Sequence, residues 1–187
     1  MNFDAAFSLW LNGLTVSSAL AAQAAYFFAL LLPWGMVILF GFFALFHGKG
    51  NSMSVITEVI GALFLSRGVL TESIRLFYDR LRPFEVLSGI SPLLEHSGSG
   101  SFPSGHATFF IALGTSVFFH HKKWGTAFLL AALLISVGRV ASGVHYGTDV
   151  IGGALLGIFS GIAVHAFVLF LQKRKEKINK HLKIVSI

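Results

Sequence analysis

The chain has 187 residues, 55% of them hydrophobic and only 12% charged, with no cysteine and a formal net charge of +6. With a mean hydropathy of +0.76, this composition excludes an ordinary soluble domain, in which about a quarter of residues are charged. The missing cysteines exclude disulfides, thiolate catalysis and Cys-type metal sites.

Residues 2–14 place Phe3, Phe7, Trp10 and Leu11 at helical spacing. The segment is too short and polar to span, which predicts an interfacial helix over about 1–18. A sixth span built from this region is the alternative. No positive n-region or small-residue cleavage site is visible, so no signal peptide is expected. The first span is predicted at 26–46. Its apolar character begins near Ala19 and Pro33 interrupts it, so the helix should be long and tilted or kinked. Further spans are predicted at 55–77, at 108–119 with its flanks, at 124–140 and at 150–171, each near the roughly 20 residues that cross a bilayer. The expected fold is all-α: a polytopic membrane helical bundle of five or six transmembrane helices. It forms one domain over 1–187, ending in a basic tail at 172–187. Gly153, Gly157 and Gly161 make a small-residue ridge, read first as bundle packing and second as a homo-oligomer contact.

Lysine occurs at Lys49, at Lys122 and Lys123, and in the tail from Lys173 to Lys183. These are alternate connections, and the positive-inside rule puts them in the cytoplasm. The basic tail reads as a topology anchor on anionic lipid, and the net charge needs no nucleic-acid partner. Arg75, Arg80, Arg82 and Arg139 fall at the opposite ends of the helices, with no lysine among them. Cations there run against the topological bias. The planar guanidinium binds phosphate oxygens bidentately, which predicts an anion pocket on the extracytoplasmic face.

Three clusters hold the polar groups a catalyst needs: Arg75 to Pro83, then Pro103-Ser104-Gly105-His106, then Arg139 with His145 and Asp149. Arg75 and Arg82 lie about two turns apart, on one side if the helix continues, and Pro83 then stops the helix or turns the chain. Snorkelling to headgroups is the bland use of such arginines. Ser104 or Pro103 marks a helix start, whose free N–H groups suit phosphate, and Gly105 permits close approach of backbone to ligand. An ordinary cap with an incidental histidine reads equally well there. His145 and Asp149 are spaced i, i+4 and share a face at a helix start. An aspartate beside an imidazole sets its tautomer, which suits a base or a nucleophile. A structural hydrogen bond is the alternative, disfavoured by the cost of ionisable groups at membrane depth.

Together the clusters resemble the signature of the type 2 phosphatidic acid phosphatase superfamily, which includes glucose-6-phosphatase and the vanadium-dependent haloperoxidases. That signature runs Lys-x6-Arg-Pro, Pro-Ser-Gly-His, Ser-Arg-x5-His-x3-Asp, and the resemblance covers residues 75–149. It implies that His145 attacks phosphorus and forms a phosphohistidine, that Asp149 orients it, and that His106 protonates the leaving oxygen and then activates water. It implies that Arg75, Arg82, Arg139, Ser104 and the Gly105 N–H hold the phosphoryl oxygens, with no metal and no cofactor. Two positions depart from the pattern: Arg75 replaces the usual lysine, and Gly138 the usual serine.

Arg67 and Glu72 lie inside the second span and suggest a buried network supporting Arg75. His47, His120 and His121 read as bystanders at cytoplasmic ends, and His165 as a satisfied core histidine. The loop at 84–102 carries Val86, Leu87, Ile90, Leu93 and Leu94, a surface to gate a lipid, and residues 98–101 read as flexible. The expected substrate is a lipid phosphate or diphosphate, with membrane lipids as the surroundings. Small size resembles the undecaprenyl-diphosphate phosphatases, with Arg80 as a second-phosphate contact. Phosphatidylglycerophosphate, phosphatidic acid and lipid A phosphates remain alternatives, as does a non-catalytic anion-binding or transport protein.

Overall fold

A computed structural model describes residues 3–46, 52–94 and 100–185. The expectations for Lys49, His47 and residues 98–99 lie outside the described residues. All the regular structure among the described residues is helical: α1 (Phe3–Ser17), α2 (Ala19–Phe46), α3 (Met53–Phe77), a short α4 (Pro83–Val86), α5 (Gly105–His120), α6 (Lys122–Ala141) and α7 (Gly147–Val185). Helices α2, α3, α6 and α7 contain stretches long and apolar enough to cross a membrane. Large apolar side chains such as Leu130, Val137, Ile151 and Phe159 point outward from them, as lipid-facing residues do.

Helix α5 is buried on all sides from Phe110 to Val117, which makes it the axis of the bundle. Leu113, Val117, Phe128, Ala132, Ile135, Met36 and Val59 form the core around it. The glycine ridge of α7 faces this axis. A Cβ on Gly153 would stand 2.6 Å from the Ser104 carbonyl oxygen, and one on Gly157 2.8 Å from that of Thr108. The ridge therefore packs the bundle, setting α7 close enough to bring Asp149 beside the start of α5.

Two spans carry π-helical turns. In α2 the turn covers Phe27–Leu31 and closes just before Pro33, which has no N–H to offer an ordinary i−4 bond. In α3 it covers Phe64–Thr71 and carries Arg67. Gly138 of α6 lies against the first of these turns. A Cβ there would meet Ala29 N and Phe28 Cβ at 2.8 Å, so glycine lets the two backbones approach, and serine would not fit without a shift.

Helix α1 turns its polar face inward. Ser8, Asn12 and Thr15 are buried, while Phe3, Trp10 and Leu14 are exposed. Asn12 donates to the carbonyl oxygens of Ala141 at 2.9 Å and Ser91 at 3.0 Å, and accepts from Ser91 N–H at 2.9 Å. An outward apolar face and an inward polar one suit a helix lying at the bilayer surface.

Two local expectations are corrected. Helix α3 ends at Phe77, five residues before Arg82, so one continuous helix does not carry both Arg75 and Arg82. Pro83 begins α4 instead of stopping α3, because proline's fixed φ and missing N–H suit the first helical position. His145 precedes α7, which starts at Gly147. Asp149 caps that start by accepting from Tyr146 N–H at 2.8 Å, so the pair meets across a turn and not along a helix face.

Candidate active site

The three clusters converge. A cleft of about 270 Å³ is lined by Arg67, Arg75, Arg82, Gly105, His106, Phe109, Phe110, Arg139 and His145. It holds four guanidinium groups and no carboxylate among its lining residues. Three of them, Arg75, Arg82 and Arg139, are placed by a backbone acceptor or the last turn of a helix. Arg75 donates to the Pro103 carbonyl oxygen at 2.9 Å, and Arg82 to that of Val144 at 2.7 Å. The backbone N–H of Arg82 donates to Glu85 Oε2 at 2.6 Å, closing α4 at its start. Arg139 ends α6 and is 3% exposed, and its Nε and Nη2 find no hydrogen-bond partner among the described residues. Such buried donors call for an anion.

Burial, reinforced by Arg75, lowers Arg82 to about 10, so it remains charged at neutral pH. His145 is 2% exposed. Burial lowers it to about 4, against the pull of Asp149 and with a further push from Arg139 and Arg82. It is therefore a neutral imidazole at pH 7.

The orienting contact on His145 is one that spacing did not reveal. Its Nδ1 lies 3.0 Å from the Ser101 carbonyl oxygen and 3.6 Å from Asp149 Oδ2. Ser101 Oγ donates to Asp149 Oδ2, so Ser101 stands between the two. The carbonyl joins Asp149 in facing the imidazole, and the aspartate still acts on the ring. A carbonyl oxygen accepts only, so Nδ1 carries the proton and Nε2 keeps its lone pair. No side-chain pattern encodes a main-chain acceptor, which is why Ser101 was missed.

Ser104 caps α5 from a fully buried position, and its N–H donates to the Asp149 carbonyl oxygen at 2.9 Å. It does not line the cleft, although Gly105 beside it does. Gly105 makes room for a side chain. Its Cβ would stand 2.8 Å from Arg67 Nε, so glycine lets Arg67 lie across the helix start. Arg67 pairs with Glu72 and is about 40% exposed. Glu72 also lies 3.8 Å from Arg75 Nη1, so the expected support for Arg75 is present, half-exposed instead of buried. The signal for Arg67 was its charge inside a span.

Arg80 does not line the cleft. It donates to Asp149 Oδ1 at 2.7 Å, Thr148 Oγ1 at 2.7 Å and Asp4 Oδ2 at 2.8 Å, and lies 3.9 Å over the Tyr146 ring. Burial opposes its charge, but Asp4 and Asp149 outweigh that and hold its pKa above the ordinary value. Arg80 thus clamps the back of Asp149. The irregular segment after Phe77 turns the Arg80 and Arg82 side chains to different partners.

An apolar chamber of about 620 Å³ adjoins the cleft, sharing His106, Phe109, Phe110 and Arg139 with it. Tyr26, Leu30, Pro33, Trp34, Val37, Leu93 and Leu94 complete its wall.

The chain is 35% identical over 145 residues to the bacitracin transport permease protein BcrC of Bacillus licheniformis, covering 78% of this chain and 66% of the relative. It is 32% identical to undecaprenyl-diphosphatase BcrC of Bacillus subtilis over 53% of this chain and 51% of that one. With phosphatidylglycerophosphatase B of Bacillus subtilis it shares 30% identity over 79% of this chain and 72% of the relative. The matches thus span about half to two thirds of the first two relatives' length. The fold matches that of Aquifex aeolicus LpxE, with a TM-score of 0.69 at 24% identity over 89% of this chain and 96% of that one. The PAP2 superfamily pattern matches residues 56–173, a stretch that contains every residue lining the cationic cleft. The chain is a multi-pass membrane protein that belongs to the PAP2 superfamily.

Proposed function

We propose that the chain is a lipid phosphatase that hydrolyses undecaprenyl diphosphate to undecaprenyl phosphate and phosphate through a phosphohistidine. The observation that carries this reading is a buried neutral imidazole, His145, with Nδ1 turned to the Ser101 carbonyl, facing four arginines. Nε2 of His145 attacks phosphorus, and the bond to the leaving oxygen breaks as His106 gives that oxygen a proton. Water, deprotonated by His106, then displaces the histidine. Arg75, Arg82, Arg139 and Arg67, with the Gly105 N–H, hold the phosphoryl oxygens and stabilise the charge that develops on them. Asp149 and Ser101 balance the positive charge that His145 acquires on attack. The arginines supply what Mg²⁺ gives elsewhere, and a cleft walled by guanidinium groups repels a divalent cation.

The apolar chamber supports a lipid substrate. A tail resting against Leu30, Trp34, Val37, Leu93 and Leu94 leaves its phosphate between His106 and Arg139. The placement of the lysines supports an extracytoplasmic cleft. The diphosphatase reading takes its substrate from the named activity of the Bacillus subtilis relative. The transport name of the Bacillus licheniformis relative gives the second reading, anion binding without turnover, which leaves the His145–Ser101–Asp149 arrangement without a use.

The test is phosphate release by the purified protein from a panel of lipid phosphates and diphosphates, in EDTA and with vanadate added. Release that survives EDTA and falls with vanadate is expected, with the polyprenyl diphosphate turned over fastest. Binding without release supports transport, and preference for a diacyl lipid phosphate moves the substrate to that class.

A further inference from the structure

A second polar cluster lies at the other end of the bundle axis. Helix α5 runs from Gly105 at the cleft to His120, about 22 Å at the ordinary helical rise. There His120 Nε2 stands 3.0 Å from Glu58 Oε2, and His165 Nδ1 stands 2.8 Å from the same oxygen. Glu58 comes from α3 and His165 from α7. The Glu58 side chain is 2% exposed, and an isolated carboxylate at such a place is costly unless compensated. Read from sequence, His120 was a bystander and His165 a core histidine; the fold brings both onto one carboxylate.

Hydrogen bonding accounts for only part of this geometry. His165 Nδ1 is within hydrogen-bond reach of Glu58, but the buried His120 Nε2 makes no hydrogen bond among the described residues, despite its short distance. One oxygen and two imidazole nitrogens lie within 4.8 Å of one another. The His165 ring is held by stacking on Phe119, with centroids 4.1 Å apart and planes 5° from parallel, and His120 meets it edge-on at 5.8 Å. Ring directions fixed by packing are what a ligand set needs.

The donors select the ligand. Two imidazoles and a carboxylate suit zinc and its neighbours, and three protein ligands leave a fourth position for water. Ligand atoms around tetrahedral zinc are about 3.3 Å apart, given bonds of about 2.0 Å, so the two nitrogen–oxygen separations of 2.8 and 3.0 Å need to open by only a few tenths of an ångström. We propose that Glu58, His120 and His165 form a divalent-metal site, best matched to zinc, that ties α3, α5 and α7 together away from the catalytic cleft. The site does not take part in phosphoryl transfer, since none of its residues lines the cleft.

The test uses the full chain purified without a histidine tag. Zinc is measured by elemental analysis after equilibration at micromolar free metal, and Co²⁺ by its visible absorption. Wild type is compared with Glu58→Gln, His165→Ala and the milder His120→Gln. One ion per chain is expected, with the intense bands of tetrahedral Co²⁺ and a Tm raised by zinc, all lost in the variants. Lipid-phosphate turnover in the variants reports that they are folded. Wild type that binds no zinc or Co²⁺ overturns the proposal whatever the variants do, and leaves a hydrogen-bonded His–Glu–His group. Metal bound equally by wild type and folded variants also overturns it.

Discussion

His145 meets the carbonyl oxygen of Ser101 at 3.0 Å, closer than the 3.6 Å that separates it from Asp149. Tautomer control and charge balance are thereby divided between main chain and side chain. Ser101→Ala keeps the carbonyl and removes only the hydroxyl on Asp149, so kcat should fall less than about tenfold. Asp149→Asn removes the balancing charge and should cost about 10²–10⁴-fold in kcat. Steady-state kinetics on one lipid phosphate checks this. Equal large losses in both would mean that the hydroxyl, not the carbonyl, orients the ring.

Arg80 grips Asp149 and Asp4 at once, linking α1 to the back of the site. Arg80→Ala should therefore lower kcat/KM for mono- and diphosphate lipids by the same factor, about tenfold or more for a lost buried charge-assisted bond. A loss confined to diphosphates would return Arg80 to the substrate. That outcome would require its side chain to leave Asp149.

The state of His145 gives a pH prediction. Its pKa is lowered to about 4, so the neutral nucleophile persists as pH falls through the ordinary histidine range near 6.5. Protonation removes the nucleophile only as pH approaches 4. The rate of phosphoenzyme formation in single-turnover quench experiments should thus hold its nucleophile-dependent limb below pH 5. A limb near 6.5 that persists in His106→Ala would contradict the buried neutral state.

Much of this was legible in the chain. The apolar runs predicted the helices because lipid requires long uncharged segments, and arginines segregated from lysines marked one end of the bundle. The motif residues Arg75, Arg82, Gly105, His106, Arg139 and His145 do line one cleft. What was not legible depended on backbone direction. The turn after Phe77 separates Arg80 from Arg82, a carbonyl at Ser101 joins the side-chain partner of His145, and the π-helical turn in α3 brings Arg67 across Gly105. Residues distant in sequence were also invisible as partners, as Glu58, His120 and His165 illustrate.

Gly138, where the family pattern has serine, has a steric cause in this chain. Gly138→Ala places a methyl group 2.8 Å from Ala29 N and Phe28 Cβ. Overpacking of this kind costs about 1–3 kcal/mol. Tm in detergent should fall by several degrees while the cleft residues stay in place. An unchanged Tm would show that α6 and the π-helical turn of α2 separate without strain.

Covalent catalysis at His145 leaves a chemical trace on the protein. Wild type mixed with a phosphorus-labelled lipid diphosphate and quenched in alkali, where phosphohistidine survives, should yield label on the peptide that contains His145. His145→Ala should carry none and release no phosphate. His106→Ala should still take up label from substrates with good leaving groups, since general acid assistance, typically about 10²–10⁴-fold, matters least for them. Label on His106 or on another residue, or turnover by His145→Ala, would contradict the account.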